Sequence, residues 1–315
     1  MILKIKKAIR SLIPLSILVH VYNLVLRLIY LTRGIKIIQN KGLICLLKKN
    51  REIRICASQK LYLEETLSNF DFYFEGVIPS KKGKKEIVDY SKPAWHDVKN
   101  FDLMPIYFNS FCEPIRTIDK YIEFSEISEG SVVIDLGAYS ALTSIIFDQR
   151  VGQTGLVIAI EADRENYLTC VKNLSLYEKI TKKKIHLVNA AIWRDTNGIM
   201  FSSESSMGSS AVDFVGNDRA ENIFVNTVTL MSLVNDFKLE RVDFIKCDIE
   251  GAESVALNSP DFFNKYKPSV VMELHFIDGV STEYSCRSFM ENFGYTCTLK
   301  DQEGYPLKLL FCHPK

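Results

Sequence analysis

Residues 132–161 read VVIDLGAYSALTSIIFDQRVGQTGLVIAIE, two apolar runs on either side of a small-residue turn and a helical repeat. Val132, Val133 and Ile134 form a β-branched run that ends at Asp135, the pattern of a central parallel strand covered on both faces. Gly137 permits a tight turn, and the small residues Ala138, Ser140 and Ala141 let backbone approach a ligand closely. Leu142, Ile145 and Ile146 then recur at helical spacing, so a helix starts at the turn with its free N–H groups facing the ligand. A second apolar strand, Leu156 to Ile160, ends at Glu161. This is one βαβ unit with a carboxylate at the tip of each strand. In open α/β sheets ligands lie beyond the carboxyl ends of the strands. Asp135 and Glu161 are therefore placed for a nucleotide-type ligand carrying a ribose and a cationic amino acid group. A dinucleotide reading would ask for G-x-G-x-x-G, of which Gly137 alone is present. The bland alternative is a structural βαβ unit with an acidic cap at each helix.

The alternation extends on both sides of this unit. A helix is expected over Ile115–Ile127 and another over Arg164–Tyr177. Strands are expected at Lys184–Ile192, Phe224–Val228, Val242–Cys247 and Ser269–Leu274. A helix near Tyr284–Asn292 and two closing strands, Tyr295–Leu299 and Leu307–Cys312, complete the pattern, the last pair as an antiparallel edge hairpin. The fold class is thus α/β, a doubly wound Rossmann-like sheet over residues 114–315. Residues 40–113 read as an irregular cap or substrate-facing region, with short strands in EIRICAS (52–58) and FDFYFEG (70–76).

Residues 1–39 read as a basic, apolar, amphipathic helical segment. In Leu12–Leu31 the polar residues Ser16, His20, Asn23 and Arg27 fall on one helical stripe, while Lys4, Lys6, Lys7 and Arg10 crowd the start. Three readings stay open: an interfacial helix in peripheral membrane contact, a packed or oligomer-forming helix, and a membrane span. The expected location is the cytoplasm, at the inner face of the membrane if the first reading holds. Basic and acidic residues nearly cancel, 39 against 38, so no nucleic-acid partner is expected. The eight cysteines include no C-x-x-C pair and suit free thiols in a reducing compartment. The oligomeric state is not legible.

A second motif, DFIKCDIEGAE at 243–253, crowds Asp248, Glu250 and Glu253 behind a buried strand. Such acid density is costly unless the groups bind a cation, a ligand or hydroxyls. The next strand, SVVMELHF, brings Glu273 and His275 to the same edge of the sheet. Asp248, Glu250, Glu273 and His275 are also residue types that ligate divalent ions, but the sequence does not show them converging, and no metal is assigned.

Taken in order, VVIDLGA, VIAIEAD, NAAI and FIKCDIEGAE resemble the FkbM family of S-adenosylmethionine-dependent O-methyltransferases, over roughly Ile115–Phe276. The resemblance implies S-adenosyl-L-methionine as cofactor, with Asp135 and Gly137 at its methionine end, Ala138 also binding it, Glu161 on its ribose, and Asn189 and Ala190 beside its adenine. It implies that Asp248 and Glu250 line the reaction site, and that the acceptor is a sugar hydroxyl of a glycan or glycolipid precursor. His275 has the near-neutral ordinary pKa expected of a base that takes the hydroxyl proton, though Asp248 or Glu250 could serve; its bland reading is a hydrogen-bonded strand-end histidine. Two other functions stay open, a non-catalytic cofactor-binding or assembly protein and an NAD(P)-dependent sugar-modifying enzyme. The family turn reads approximately G-A-N-x-G, whereas here Tyr139 and Ala141 replace the amide and the last glycine, which alters the methionine pocket.

Overall fold

The computed structural model describes residues 25, 26, 28–203, 210–211, 221–277 and 279–315. Most of the amphipathic segment, including Ser16, His20, Asn23 and Arg27, lies outside the described residues. No helix among the described residues is long and apolar enough to cross a membrane.

The chain forms two compact units, Met1–Phe74 with Ile78–Lys92, and Glu75–Val77 with Pro93–Lys315. In the first, the stretch expected to be irregular carries a sheet of its own. Strands β1 (Ile35–Asn40), β2 (Leu43–Lys48), β3 (Arg51–Cys56), β4 (Ser80–Lys82) and β5 (Lys85–Tyr90) lie in the order β1-β2-β3-β5-β4. Period-two alternation builds its core: Ile44 and Leu46, then Ile53 and Ile55, are buried on alternate positions. Helices α1 (Leu63–Ser68) and α2 (Phe70–Glu75) follow β3. The strand expected at FDFYFEG is therefore a helix. Its alternating aromatics fit either period, and tertiary packing decides: Phe70, Phe72, Tyr73 and Phe74 are all buried, with Phe70 and Phe74 stacked one turn apart at 5.9 Å. Lys48 and Arg51 hold Asp71 in the helix's first turn.

The second unit is built on a seven-stranded sheet. Its strands are β6 (Val132–Leu136), β7 (Leu156–Glu161), β8 (His186–Asn189), β9 (Phe244–Cys247), β10 (Ser269–Leu274), β11 (Tyr295–Gln302) and β12 (Tyr305–Pro314). Their order is β8-β7-β6-β9-β10-β12-β11. The first five are parallel, and β12 is inserted antiparallel between β10 and β11. Helix α3 (Ile115–Glu123) leads into β6, α4 (Leu142–Val151) joins β6 to β7, and α5 (Arg164–Thr181) joins β7 to β8. The expected run Lys184–Ile192 divides: Ala191–Ile192 leave the main sheet to pair with Thr227–Val228.

The strands are continuous hydrophobic runs because both faces are covered. Ile134, Leu136, Ile158, Ile160, Ile245, Cys247, Val270 and Met272 belong to one buried cluster. The strand order reverses between β6 and β9, so the crevice at a doubly wound sheet's switch point opens at the carboxyl ends of these two strands. The charged residues of both motifs stand there.

Candidate active site

The turn after β6 begins at Gly137, whose φ is +80°. A Cβ at this position would fall 1.8 Å from the carbonyl oxygen of Asp248, so glycine is required for the turn and the loop after β9 to meet. The Gly137 and Ala138 N–H groups both donate to Ile160 O at 3.0 Å, tying the turn to β7. Tyr139 and Ala141 occupy the left-handed region, at φ 54° and 62°, where the family pattern has an amide and a glycine. Tyr139 fills its larger volume away from the turn: its hydroxyl donates to Phe111 O at 2.8 Å and lies 2.9 Å from Ser110 Oγ. Burial pushes its phenol above the ordinary pKa.

Glu161 is the hub of this side. Its Oε2 accepts the Tyr139 N–H at 2.7 Å and its Oε1 the Asp163 N–H at 2.9 Å. Each oxygen keeps a second lone pair, as a ribose diol needs. Burial pushes the Glu161 carboxyl up to about 7 against those two donors. Asn189 Nδ2 donates to Glu161 O at 2.9 Å, which puts Asn189 at the same strand ends; Asn189 is exposed and Ala190 buried.

Asp135 lies deeper than a strand-tip reading suggests. It is fully buried, with Oδ2 accepting Ser144 Oγ–H at 2.5 Å and Oδ1 lacking a hydrogen-bond partner. Lys246 Nζ stands 3.4 Å from that Oδ1 and 3.4 Å from Asp248 Oδ2, and donates to Gly137 O at 2.7 Å. Lys246 is buried, which works against its charge, but Asp248 and Asp135 outweigh that and hold its pKa above the lysine norm. Burial raises the Asp135 pKa in turn. Sequence reasoning missed Lys246. The available signal was a lysine inside a strand otherwise made of Phe244, Ile245 and Cys247, and the parallel register that sets it beside Asp135 appears only in the fold.

On the other side of the switch point, β9 and β10 bring the acids and the imidazole together. His275 Nε2 is 3.6 Å from Asp248 Oδ1 and 3.6 Å from Glu250 Oε2. His275 Nδ1 is 2.9 Å from Oε1 of the fully buried Glu253, which also accepts the Gly251 N–H at 3.1 Å. Glu253, read only as part of an acidic run, thus orients the ring. Burial works against the imidazolium, but Glu250, Glu253 and Asp248 together hold the His275 pKa well above the ordinary value. Burial and neighbouring carboxylates raise Glu250 and Glu273. One ligand atom each from Asp248, Glu250 and His275 lies within 4.8 Å of the others. Glu273 is buried below, its Oε2 accepting Tyr121 O–H at 3.5 Å.

The profile of the Methyltransferase FkbM domain matches residues 135–297, just over half of the 315-residue chain. The chain belongs to the FkbM methyltransferase family. It is a methyltransferase dependent on S-adenosylmethionine, and the match runs from the Asp135 turn past His275. Similar solved structures include precorrin-6y C5,15-methyltransferase from Geobacter metallireducens (14% identity, 64% of this chain and 89% of that one, TM-score 0.42). A methyltransferase FkbM from Methylobacillus flagellatus shares 19% identity over 58% of this chain and 44% of that one, with TM-score 0.42. A SAM-dependent methyltransferase from Aquifex aeolicus shares 12% identity over 64% and 93%, with TM-score 0.39. No curated protein matches the chain. The site suits the family's cofactor on its own geometry: Asp135 Oδ1 is a buried acceptor without a hydrogen bond, and Glu161 has acceptor capacity left at the end of β7.

Proposed function

We propose that this FkbM methyltransferase methylates a hydroxyl group of a sugar, within a glycan or glycolipid precursor. Bound S-adenosylmethionine supplies an electrophilic methyl group on a sulfonium. Glu161 would hold the ribose hydroxyls and Asp135 the amino end, which aims that methyl group across the Gly137 turn toward β9. The observation that supports an oxygen acceptor is the convergence of Asp248, Glu250 and His275 on the far side of that turn. A hydroxyl docked there would give its proton to this cluster, and the bound cofactor would supply the methyl group to its oxygen with the methyl–sulfur bond broken and a neutral thioether left. Holding oxygen, carbon and sulfur in line supplies most of the acceleration. The sugar class comes from the family resemblance, and the many acceptors in the cluster suit a polyhydroxylated partner.

The test is transfer of isotopically labelled methyl from S-adenosylmethionine to cell-extract fractions, followed by identification of the bond formed. Label in an alkali-stable methyl ether on a sugar supports the proposal. Label in an alkali-labile methyl ester, or in protein or nucleic acid with none in glycan, contradicts it.

A further inference from the structure

We infer that Asp248, Glu250 and His275 bind a divalent cation of the Mn²⁺ or Zn²⁺ type, on which the acceptor hydroxyl is held and acidified. The inference rests on the reading of this edge of the sheet as the acceptor site. Two observations carry it.

The first is spacing. His275 Nε2 stands 3.6 Å from one oxygen of Asp248 and 3.6 Å from one of Glu250, beyond hydrogen-bond reach of both. Two ligand atoms each about 2.1 Å from one ion lie about 3 to 4 Å apart, so the gap is the size a shared ion needs. All three ligand atoms lie within 4.8 Å of one another.

The second is orientation. His275 is 8% exposed, and its Nδ1 is held at 2.9 Å by Glu253 Oε1, from a side chain that is completely buried. A metal-binding histidine almost always gives its other ring N–H to a carboxylate, which fixes the tautomer and points the free lone pair at the metal. Here Glu253 takes Nδ1, which leaves Nε2 as the ring atom that faces the two carboxylates and that would turn a lone pair to an ion once its proton is displaced.

With an ion present His275 would be a ligand, and the base role read from sequence would pass to a carboxylate of the cluster. That carboxylate would take the proton of the acidified hydroxyl and release it to solvent, while the oxygen would bond the methyl carbon as the methyl–sulfonium bond breaks to leave the thioether.

Mn²⁺ titrated into the metal-stripped full chain, followed by the six-line paramagnetic resonance signal of the free ion, tests the inference. One Mn²⁺ per chain is expected, with a Kd of about 1–100 µM. Asp248→Asn should weaken binding at least about tenfold, and Glu253→Gln, which removes no ligand, about 10–100-fold. Circular dichroism on each variant separates lost binding from lost fold, and the half-exposed Asp248 carries the test should the Glu253 variant unfold. No binding by the wild-type chain up to about 1 mM, or equal binding by folded Asp248→Asn, overturns the inference. A parallel calorimetric titration with S-adenosylmethionine keeps the two readings apart: cofactor bound with no Mn²⁺ bound defeats the cation alone, whereas a chain that takes neither defeats the methyltransferase reading as well.

Discussion

Gly137 and Lys246 tie the two halves of the site together, one by having no side chain and the other by burying a charged one. Gly137→Ala would drive a methyl group to 1.8 Å from Asp248 O and force alanine to φ +80°. Overpacking and left-handed strain together should cost about 2–5 kcal/mol and abolish cofactor binding, read by thermal unfolding and calorimetry. A variant as stable as wild type would show that the two loops do not meet as described. Lys246→Met leaves Asp135 and Asp248 without their shared cation, and removing one partner of a buried pair costs about 3–5 kcal/mol. Urea unfolding measures it, and a loss below about 1 kcal/mol would mean that Lys246 is not the counter-charge. His275→Gln should lower turnover by about 10²–10⁴-fold with S-adenosylmethionine binding retained; an unchanged rate would remove His275 from the reaction. Asp135, Glu161, Asp248 and Glu250 stand out in the sequence as acids at the ends of apolar runs, and His275 as the imidazole that closes the next run. Lys246 and Glu253 could not be given roles that way, since a lysine's neighbour across a parallel sheet is fixed by register and a glutamate's target by the loop that carries it.

At the scale of elements, α5 shows how a local signal becomes a site constraint. Asp163 caps the helix, its side chain accepting the Glu165 and Asn166 N–H groups, while its own N–H is held by Glu161. Asp163→Ala should therefore cost about 1 kcal/mol of stability through the lost cap, and it should also loosen the Glu161 carboxylate. A lower midpoint of thermal unfolding with weaker cofactor binding is the expected pair of results; an unchanged midpoint would contradict the capping role. The parallel strands and the closing hairpin were readable from continuous apolar runs and their spacing. FDFYFEG was not, because aromatics at alternate positions satisfy a strand while the buried stack of Phe70 on Phe74 satisfies a helix. Lys184–Ile192 reads as one strand for a similar reason: nothing in NAAI announces that the chain changes sheets at Ala191.

For the molecule as a whole, the accumulation of buried acids sets how stability responds to pH. Glu161 rises from its usual 4.5 to about 7, and Asp135 and Glu273 are raised by burial as well. Between those limits the folded chain keeps protons that the unfolded chain has released. Stability is therefore greatest below the unfolded carboxyl pKa and is lost as pH climbs through the folded one. Glu161 contributes at most on the order of 3 kcal/mol to this loss. The His275 pKa, also raised, acts in the same direction. Unfolding midpoints followed by calorimetry should fall from about pH 5 to about pH 8, and a midpoint that rose over that interval would contradict the burial of these groups. If the turn after β6 and the end of β7 hold S-adenosylmethionine, calorimetric titration of that cofactor into the full chain and into Glu161→Ala, with circular dichroism confirming both folds, shows it. One site per wild-type chain is expected, with affinity at least about tenfold weaker in the variant, the loss of charged hydrogen bonds to the ribose. No binding to the folded wild-type chain, or equal binding to the folded variant, would contradict it.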